Sequence, residues 1–320
     1  MKVSILICTY NRAPFLDKVL RSLVDQEFEG EHEIIVVDNN STDESKAMVE
    51  KWMPLANSRC PIRYVFAASQ GLSHARNVGA AAADGDVIAF IDDDATAEVK
   101  WLQRIVDNLA DPSIACVGGK VIPEWSEPPP DWITPELWPA IGGSIHGDVR
   151  CVMTGRLYPM GGNMAVRNSW NQTIGGFNVQ FGRVGTNLAS GDEVEFADRL
   201  RRHGAVMVYD PQMIIYHHVP ESRMTREFFL QRWYWEGRSV SAWQRVRGGK
   251  FRQWIVGLLR IFITAPRDLL GLLIHTTVGN RSLRFVYHCR LRKLQGYADE
   301  LWQSLGVNVP GQSRAREGLK

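Results

Sequence analysis

One stretch constrains the fold more than any other: an apolar run at residues 87–91 leads directly into Asp92, Asp93 and Asp94. A short, continuous apolar run predicts a β-strand that is buried on both faces. Three adjacent acids cannot remain in such a core, so we expect them where the strand emerges. Like charges this close raise one another's pKa unless a cation lies among them, and oxygen-rich clusters suit Mg²⁺ or Mn²⁺.

The position of this acidic cluster suggests a binding site. Ligands of open α/β sheets bind at the carboxyl ends of the strands, so our first hypothesis is a site for a metal ion and a diphosphate at the end of this strand. The alternative has equal weight: a solvated acidic loop, or the acidic start of a helix, because residues 95–109 have a helical pattern.

Strand patterns recur along the first two thirds of the chain and are separated by helical patterns. They occupy residues 3–8, 33–37, 62–67, 87–92, 114–122, 205–209 and 213–217. This alternation predicts an α/β fold with a mostly parallel, doubly wound sheet flanked by helices. Ser41 to Glu44 has the form of a capping box for the second helix, and Ser73 is the expected cap of the third.

The charge distribution divides the chain. Residues 219–320 contain 18 Lys+Arg and 7 Asp+Glu, whereas residues 1–218 contain 19 and 28. We therefore predict a first domain of residues 1–218 and a basic, Trp-rich helical region of residues 219–320 that meets an anionic partner. Nucleic acid is disfavoured as that partner, because the arginines alternate with Trp and Leu at helical spacing.

Within that region, residues 254–278 are apolar but interrupted by Arg260, Arg267 and His275. Such a segment can lie on a membrane surface while its arginines reach the headgroups. It can equally form a helical pair packed on the domain or on a second subunit. The two hypotheses, a membrane surface and a homodimer, are left open here.

Composition also bears on location. Five scattered cysteines without a CxxC spacing indicate a reducing compartment. The apolar run at residues 3–8 is too short for a signal peptide, and no apolar stretch reaches the roughly 18 residues of a membrane-spanning helix. We expect a cytoplasmic protein, either free or peripheral on the inner face of the cell membrane.

A loop at residues 123–139 holds six prolines and three tryptophans. Long loops with large aromatic residues often act as lids or binding loops. A simple covering loop explains the composition equally well, so both interpretations stand.

Several motifs, in order, resemble family 2 glycosyltransferases of the GT-A (Rossmann-like) fold, and the resemblance covers about residues 1–240. They are Thr9-Tyr10-Asn11-Arg12, Asp38-Asn39-Asn40-Ser41, Gly71 to Asn77, Asp92-Asp93-Asp94, Gly162-Asn163, Gly175-Gly176-Phe177, Gly191-Asp192-Glu193 and Tyr216-His217-His218. Each motif alone is weak, and their order and spacing make the resemblance specific. It implies a nucleotide-sugar donor, with a UDP-sugar favoured.

The resemblance assigns donor-binding roles to residues at the strand ends. Thr9, Tyr10 and Arg12 would hold the nucleotide base, and Asp38 would bind the uracil or the ribose. Arg76 and Asn77 would reach the base or the diphosphate. The residues alone leave other interpretations open: Asp38 as a turn-forming acid, and Arg76 as an exposed helical arginine.

The same resemblance makes the acidic cluster a DxD motif. Asp94 would bind Mn²⁺ or Mg²⁺, Asp92 would bind ribose, metal or metal-bound water, and Asp93 could face away. His217 or His218 would supply another metal ligand. Because adjacent residues on a strand face opposite ways, at most one of this pair points into the site.

The catalytic base is implied at the start of a helix. The family commonly has Glu-Asp there, with the Asp as base, whereas this chain has Asp192-Glu193. Position for position, Glu193 takes the role, and Asp192 is the second choice. Alternatively, both acids merely favour the positive end of the helix dipole.

The implied reaction is an inverting, metal-dependent hexosyl transfer to a hydroxyl of a glycan or lipid-linked acceptor in surface polysaccharide synthesis. Two competing hypotheses are a non-catalytic carbohydrate-binding or scaffold protein on the same fold and a sugar-phosphate nucleotidyltransferase. The latter is disfavoured because the first loop, residues 9–12, contains no glycine.

Overall fold

The computed structural model describes residues 1–55, 60–185 and 187–304. The chain forms two compact units. Unit 1 comprises residues 1–128, 141–187 and 192–221, and unit 2 comprises residues 129–140, 188–191 and the described residues from 222 onward. The sequence predicts a division at residue 218. Of the two short segments of unit 2 within the first domain, residues 129–140 fall largely in the Pro- and Trp-rich loop, whereas residues 188–191 carry no signal in composition or charge.

Unit 1 is built on one sheet, which confirms the predicted α/β, GT-A-type class. Its strands are β1 (Val3–Thr9), β2 (His32–Asp38), β3 (Ile62–Phe66), β4 (Val87–Asp92), β5 (Ala95–Ala97), β6 (Ile114–Trp125), β7 (Cys151–Val152), β8 (Asn163–Arg167) and β9 (Val206–Val219). The order is β3-β2-β1-β4-β8-β6-β9-β5, and β7 pairs with β9. Strands β3, β2, β1 and β4 are parallel, and β8 runs antiparallel to both of its neighbours.

Helices cover both faces of this sheet. They are α1 (Ala13–Val24), α2 (Ser45–Trp52), α3 (Leu72–Ala82), α4 (Trp101–Leu109), α5 (Asn168–Ile174) and α6 (Asp192–Arg202). Strand β1 shows why two cores form: Ile5 and Ile7 pack into one apolar cluster, and Leu6 packs into the other. Alternate residues of a strand face opposite sides of the sheet, so an unbroken apolar run belongs to a strand covered on both faces.

The register of the parallel strands brings the polar residues together. Thr9 lies opposite Asp38, and Cys8 lies opposite Asp92. The ends of β1, β2 and β4 therefore meet at one edge of the sheet, where ligands of such folds bind.

The helix expected over residues 95–109 is wrong in its first part. Ala95–Ala97 forms β5, which pairs with β9, and the helix begins only at Trp101. Pairing with a neighbouring strand outweighs the helical preference of a short Ala-rich segment. The consequence is functional, because Ala95 lies opposite His217 and holds the acidic turn beside β9.

Both predicted helix caps are also wrong. Helix α2 begins at Ser45 with Glu44 at its N-cap position. The hydroxyl of Ser41 instead accepts a hydrogen bond from the backbone N–H of Asn11. Helix α3 begins at Leu72, and the hydroxyl of Ser73 donates to the Phe181 carbonyl. In each case the polar side chain binds a neighbouring loop, which a local motif cannot reveal.

Residues 205–209 and 213–217, expected as two strands, form the single strand β9. Its pairing with β6 shifts register between Gly119 and Lys120. A β-bulge of this kind keeps the strand continuous across residues that do not fit the alternating pattern.

Unit 2 is helical. It contains α7 (Arg226–Leu259), a π-helical turn (Arg260–Thr264), α8 (Ala265–Thr277) and α9 (Arg281–Gln303). Helix α7 is kinked where Gly248 and Gly249 leave helical geometry. Helices α7 and α9 approach closely because Gly237 and Gly296 have no side chain: a Cβ on either would lie within 2 Å of a backbone oxygen of the other helix.

The Pro- and Trp-rich loop contributes to unit 2. Trp132 packs edge-on against Phe229 and Phe285, with ring centroids 5.4 and 4.9 Å away. This contact gives Trp132 a packing role, in agreement with the covering-loop interpretation. Among the described residues, no helix is both long enough and apolar enough to pass through a membrane.

Candidate active site

The acidic cluster lies at the carboxyl end of β4. Asp92 is the last residue of that strand, and Asp93 and Asp94 form the turn into β5. The side chains of Asp93 and Asp94 are buried, whereas that of Asp92 is 40 % exposed. The cluster thus has an open side at Asp92 and a closed side at Asp94.

Arg12 compensates the two buried acids. Its Nη1 donates to Asp93 Oδ1 at 3.0 Å and to Asp94 Oδ2 at 2.6 Å. Burial raises the pKa of Asp93 to about 6, Arg12 lowers it and Asp94 adds to the rise. Arg12, expected at the nucleotide base, therefore contacts the acidic turn directly.

The tandem histidines point in different directions. The Nε2 atom of His217 lies 3.2 Å from Asp94 Oδ1, and its ring is buried against Gly142. His218 donates its backbone N–H to the Asp94 carbonyl, while its ring packs beside Phe15 at 5.5 Å. The structure places His217, and not His218, at the acidic cluster.

The geometry fits a divalent cation. Asp92, Asp94 and His217 each offer a ligand atom within 4.8 Å of the other two. The buried Nδ1 atom of His217 has no hydrogen-bond partner in the described part of the chain, so this nitrogen is not engaged by another group there. Two carboxylates and an imidazole form a ligand set that Mn²⁺ accepts.

Arg76 connects this cluster with the acids of α6. Its guanidinium donates to Asp192 Oδ2 at 2.5 Å and to the Gly161 carbonyl at 2.9 Å, and it lies 3.7 Å from Asp92 Oδ1. It also lies 5.7 Å from the ring centroid of Phe90 and 5.1 Å from that of Phe177. Arg76 is buried, so the interpretation as an exposed helical arginine is wrong.

Two glycines allow these side chains to rest against backbone. A Cβ on Gly162 would lie 2.3 Å from Asp92 Oδ2, and one on Gly161 would lie 3.0 Å from the Arg76 guanidinium. Only glycine permits contacts this close. The Gly161-Gly162 pair therefore supports the positions of Asp92 and Arg76.

The two acids at the start of α6 have different environments. Asp192 is buried and paired with Arg76. Burial raises the pKa of Glu193 to about 8, and both the charge of Asp192 and a side-chain hydrogen bond with Asp192 add to this rise. Neighbouring titratable groups with such different environments are typical of acid–base sites. Burial thus dominates the environment of Glu193, and the ion pair with Arg76 dominates that of Asp192.

The residues expected to bind the nucleotide lie at the ends of β1 and β2. Asp38 accepts hydrogen bonds from the Ser41 amide at 2.8 Å and from the Tyr64 hydroxyl at 2.7 Å. Thr9 is buried at the end of β1 and Tyr10 follows it, half-buried. Asp38 thus forms a turn, as its alternative interpretation states, and Tyr64 is a neighbour that sequence reasoning missed.

The side-chain amide of Asn77 is engaged by the backbone of Phe177. Its Nδ2 donates to the Phe177 carbonyl at 2.8 Å, and its Oδ1 accepts from the Phe177 amide at 2.7 Å. Both polar atoms therefore hold the turn that places Phe177 over Arg76. The Gly-Gly-Phe motif gave the signal for this role, because Gly175 and Gly176 have positive φ angles that a tight turn requires.

The sheet order, the acidic turn and the buried acids of α6 define a glycosyltransferase of the GT-A fold. The chain belongs to glycosyl transferase family 2, whose sequence profile matches residues 4–174.

Curated relatives support this assignment. Glucosyl-dolichyl phosphate glucuronosyltransferase of Haloferax volcanii is 28 % identical over 243 residues, which cover 75 % of this chain and 76 % of the relative. Succinoglycan biosynthesis protein ExoM of Rhizobium meliloti is 26 % identical over 245 residues, which cover 75 % and 74 %.

Solved structures share the fold. A mannosyltransferase from Pyrobaculum calidifontis, in complex with GDP-Man and Mn²⁺, has a TM-score of 0.64 at 17 % identity and covers 94 % of this chain and 87 % of that chain. TarS 1-349 of S. aureus, in complex with UDP, has a TM-score of 0.51 at 17 % identity and covers 97 % and 95 %.

We predict that His217→Ala weakens Mn²⁺ binding about 10-fold or more, because it removes one of three ligand atoms. The matched control is His218→Ala, whose ring packs on Phe15 outside the cluster, and it should leave the affinity within about twofold of wild type. Isothermal titration of both variants with Mn²⁺ measures the difference. Equal losses in the two variants would contradict the assignment of His217.

Proposed function

We propose that this protein is an inverting, metal-dependent hexosyltransferase that moves a sugar from a UDP-sugar to a hydroxyl group of a glycan or lipid-linked acceptor in surface polysaccharide synthesis. One observation carries the proposal. Arg76 lies between Asp92, on the cation-binding side, and Asp192, the residue before Glu193. A cluster for the leaving diphosphate and a carboxylate base therefore lie side by side within unit 1.

Glu193 is the proposed general base. A base works best when its pKa lies near the working pH, and the pKa of Glu193 is raised to about 8. In its ionised form it takes the proton of the acceptor hydroxyl as the oxygen attacks the anomeric carbon. Asp192 cannot serve as well, because its carboxylate is engaged by Arg76.

Asp92, Asp94 and His217 would hold the cation, with Mn²⁺ preferred over Mg²⁺ because of the imidazole. When bound, such an ion supplies Lewis-acid stabilisation of the departing nucleoside diphosphate. Arg12 neutralises Asp93 and Asp94 from the other side, so the acidic turn keeps a fixed shape. Arg76 holds Asp192 and thereby fixes the start of α6.

In this mechanism Glu193 activates the acceptor hydroxyl, and no side chain attacks the sugar first, so the transfer is a single step that inverts the anomeric carbon. A single displacement, with the acceptor on one face of the sugar and the leaving group on the other, reverses the anomeric configuration. Inverting glycosidases use the same opposed geometry with water as the acceptor.

A residue of the chain supports the proposed donor, and the named relatives support the proposed class of acceptor. Asp38, at the end of β2, supports a nucleoside whose base or ribose donates hydrogen bonds. The relative from Haloferax volcanii is named for a dolichyl phosphate-linked acceptor, and the one from Rhizobium meliloti for succinoglycan synthesis. We propose an acceptor of this general class, met at the cytoplasmic face of the membrane.

We predict that Glu193→Gln lowers kcat about 10²–10⁴-fold, the usual contribution of a general base. Donor nucleotide affinity should stay within about twofold, because the substitution is isosteric and leaves Asp92 and Asp94 in place. Radiolabelled sugar transfer and nucleotide titration measure the two quantities. Glu50→Gln, on the exposed face of α2, controls for the loss of one carboxylate.

The comparison with Asp192→Asn separates the two candidate bases. If that variant loses more turnover than Glu193→Gln while its fold remains intact, the base assignment moves to Asp192. Wild-type turnover in the Glu193→Gln variant would remove Glu193 as the base.

The pH dependence should carry the signature of Glu193. Its carboxyl must be ionised to act, so we expect kcat to rise tenfold per pH unit up to about pH 8 and then level off.

The free energy of unfolding should change with pH in the opposite sense. Because the folded-state pKa lies above the ordinary value of 4.5, stability is lost as the pH rises from about 4.5 through 8.

Glu193→Gln should therefore melt near the wild-type temperature at pH 5 and above it at pH 9. Thermal unfolding across this range measures the difference. A constant difference between the two proteins at every pH would show that Glu193 does not titrate as stated.

We predict that UDP stabilises the protein against heat more than GDP or dTDP, and that Mn²⁺ increases the effect. A ligand that binds the folded state raises its stability by mass action, by about 2.7 kcal/mol at 100 times Kd. A thermal-shift series of the three nucleotides, each with and without Mn²⁺, tests the base preference. A larger shift with GDP would transfer the donor proposal to a guanosine carrier.

A further inference from the structure

The C-terminal part of unit 2 has an inverted distribution of polarity. Phe251, Phe262 and Ile263 are 78 %, 73 % and 63 % exposed, and Leu273 is 62 % exposed. These residues belong to the second part of α7, the π-helical turn and α8. A water-facing helix normally exposes polar residues and buries apolar ones, so this surface departs from that rule over several turns.

The inward face of the same segment is small and polar. Gln253 is buried and donates to the Ser241 hydroxyl, and Asp268 is buried beside Arg267. Gly257 and Gly271 lie so close to α9 that a Cβ would meet Tyr297 or Tyr287. The Nε2 of Gln253 and the carboxylate of Asp268 thus have partners inside unit 2. The large apolar side chains of the same segment face outward instead.

The exposed apolar residues follow helical spacing and so form one stripe. Large side chains occur at intervals of three, four or seven residues: Phe251, Ile255, Leu258, Phe262, Leu269 and Leu273 are all exposed. Contiguous exposed apolar surface on this scale marks a site of contact with another body.

Cations border this stripe. Between residues 247 and 284 the chain has seven Lys or Arg residues, and its only acid is the buried Asp268. Lys250, Arg252 and Arg281 are exposed. A two-fold contact with a second copy would bring two sets of these cations together, because an isologous interface pairs a surface with itself. An anionic body does not carry this penalty.

A cavity of about 320 Å³ opens beside α8. It is lined by Arg226, Leu272, Thr276, Arg284, Phe285 and His288. Neither Arg226 nor Arg284 forms an ion pair with any residue in the described part of the chain. Arg226 instead lies over the rings of Trp132 and Phe285, at 5.5 and 5.2 Å. Two unpaired guanidinium groups at one cavity favour a phosphate as its ligand.

We infer that the stripe of α7, the π-helical turn and α8 lies in the surface of an anionic phospholipid bilayer, and that the Arg226–Arg284 cavity binds the phosphate of a lipid headgroup. Apolar side chains enter the acyl boundary while the bordering cations contact headgroups. This inference specifies the membrane association within the proposed function. Its test needs no sugar transfer, so the two can fail separately.

The experiment is co-sedimentation of the full chain with vesicles of phosphatidylcholine alone or mixed with phosphatidylglycerol. We expect the mixed vesicles to bind at least about 10-fold more tightly. The double variant Phe262→Ser with Leu273→Ser should lose about 10-fold or more in affinity for each side chain. Its control is Ile145→Ser with Val149→Ser, which changes two exposed apolar residues of unit 1 and should bind as wild type.

The cavity has its own pair of variants. Arg226→Gln with Arg284→Gln should lower affinity for the mixed vesicles about 10-fold. Lys46→Gln with Lys51→Gln removes the same charge from α2 and should have a smaller effect. Equal losses in the two pairs would overturn the phosphate site.

Two results would overturn the bilayer surface. One is the absence of vesicle binding at any phosphatidylglycerol content. The other is a stable dimer in sedimentation equilibrium that Phe262→Ser with Leu273→Ser dissociates while vesicle binding is absent, which would make a second copy the occupant. Circular dichroism verifies that all variants keep the wild-type fold.

Discussion

The active site depends on one buried cation, Arg76. A guanidinium removed from water is costly unless its charge and its donors are satisfied. Here Asp192, Asp92 and the Gly161 carbonyl do so, and the rings of Phe90 and Phe177 lie beside the group. These partners come from β4, from the loop before β8, from the turn after α5 and from the start of α6. One side chain therefore fixes the relative positions of four segments, and each of them carries part of the site.

The two arginines of the site interact differently with its five carboxylates. Arg12 forms ion pairs with Asp93 and Asp94, and Arg76 forms an ion pair with Asp192 and lies 3.7 Å from Asp92. Glu193 receives only a weak share of this positive charge, and burial raises its pKa instead. Burial also raises the pKa of Asp93, to about 6, although Arg12 opposes that rise. The carboxylates of the site therefore differ in proton affinity because their environments differ.

The sequence predicted the class of fold correctly, and it predicted that the candidate site residues lie at one edge of the sheet, because both rest on strong local signals. Buried strands are continuous apolar runs, and the polar residues that end them must share an edge. It failed where contacts are distant in sequence. The strand Ala95–Ala97 exists because β9 pairs with it, and Ser41 and Ser73 serve loops rather than helices. The Tyr64–Asp38 hydrogen bond and the choice of His217 over His218 at Asp94 likewise depend on how elements meet.

The Gly161-Gly162 pair has a consequence for how this site can vary. The side chains of Asp92 and Arg76 lie directly on that stretch of backbone, with no space for a Cβ at Gly162. A side chain at residue 162 would therefore have to displace the carboxylate of Asp92, a candidate cation ligand. Bulk added to the backbone before β8 would thus be transmitted to cation affinity without any change to the ligand residues themselves.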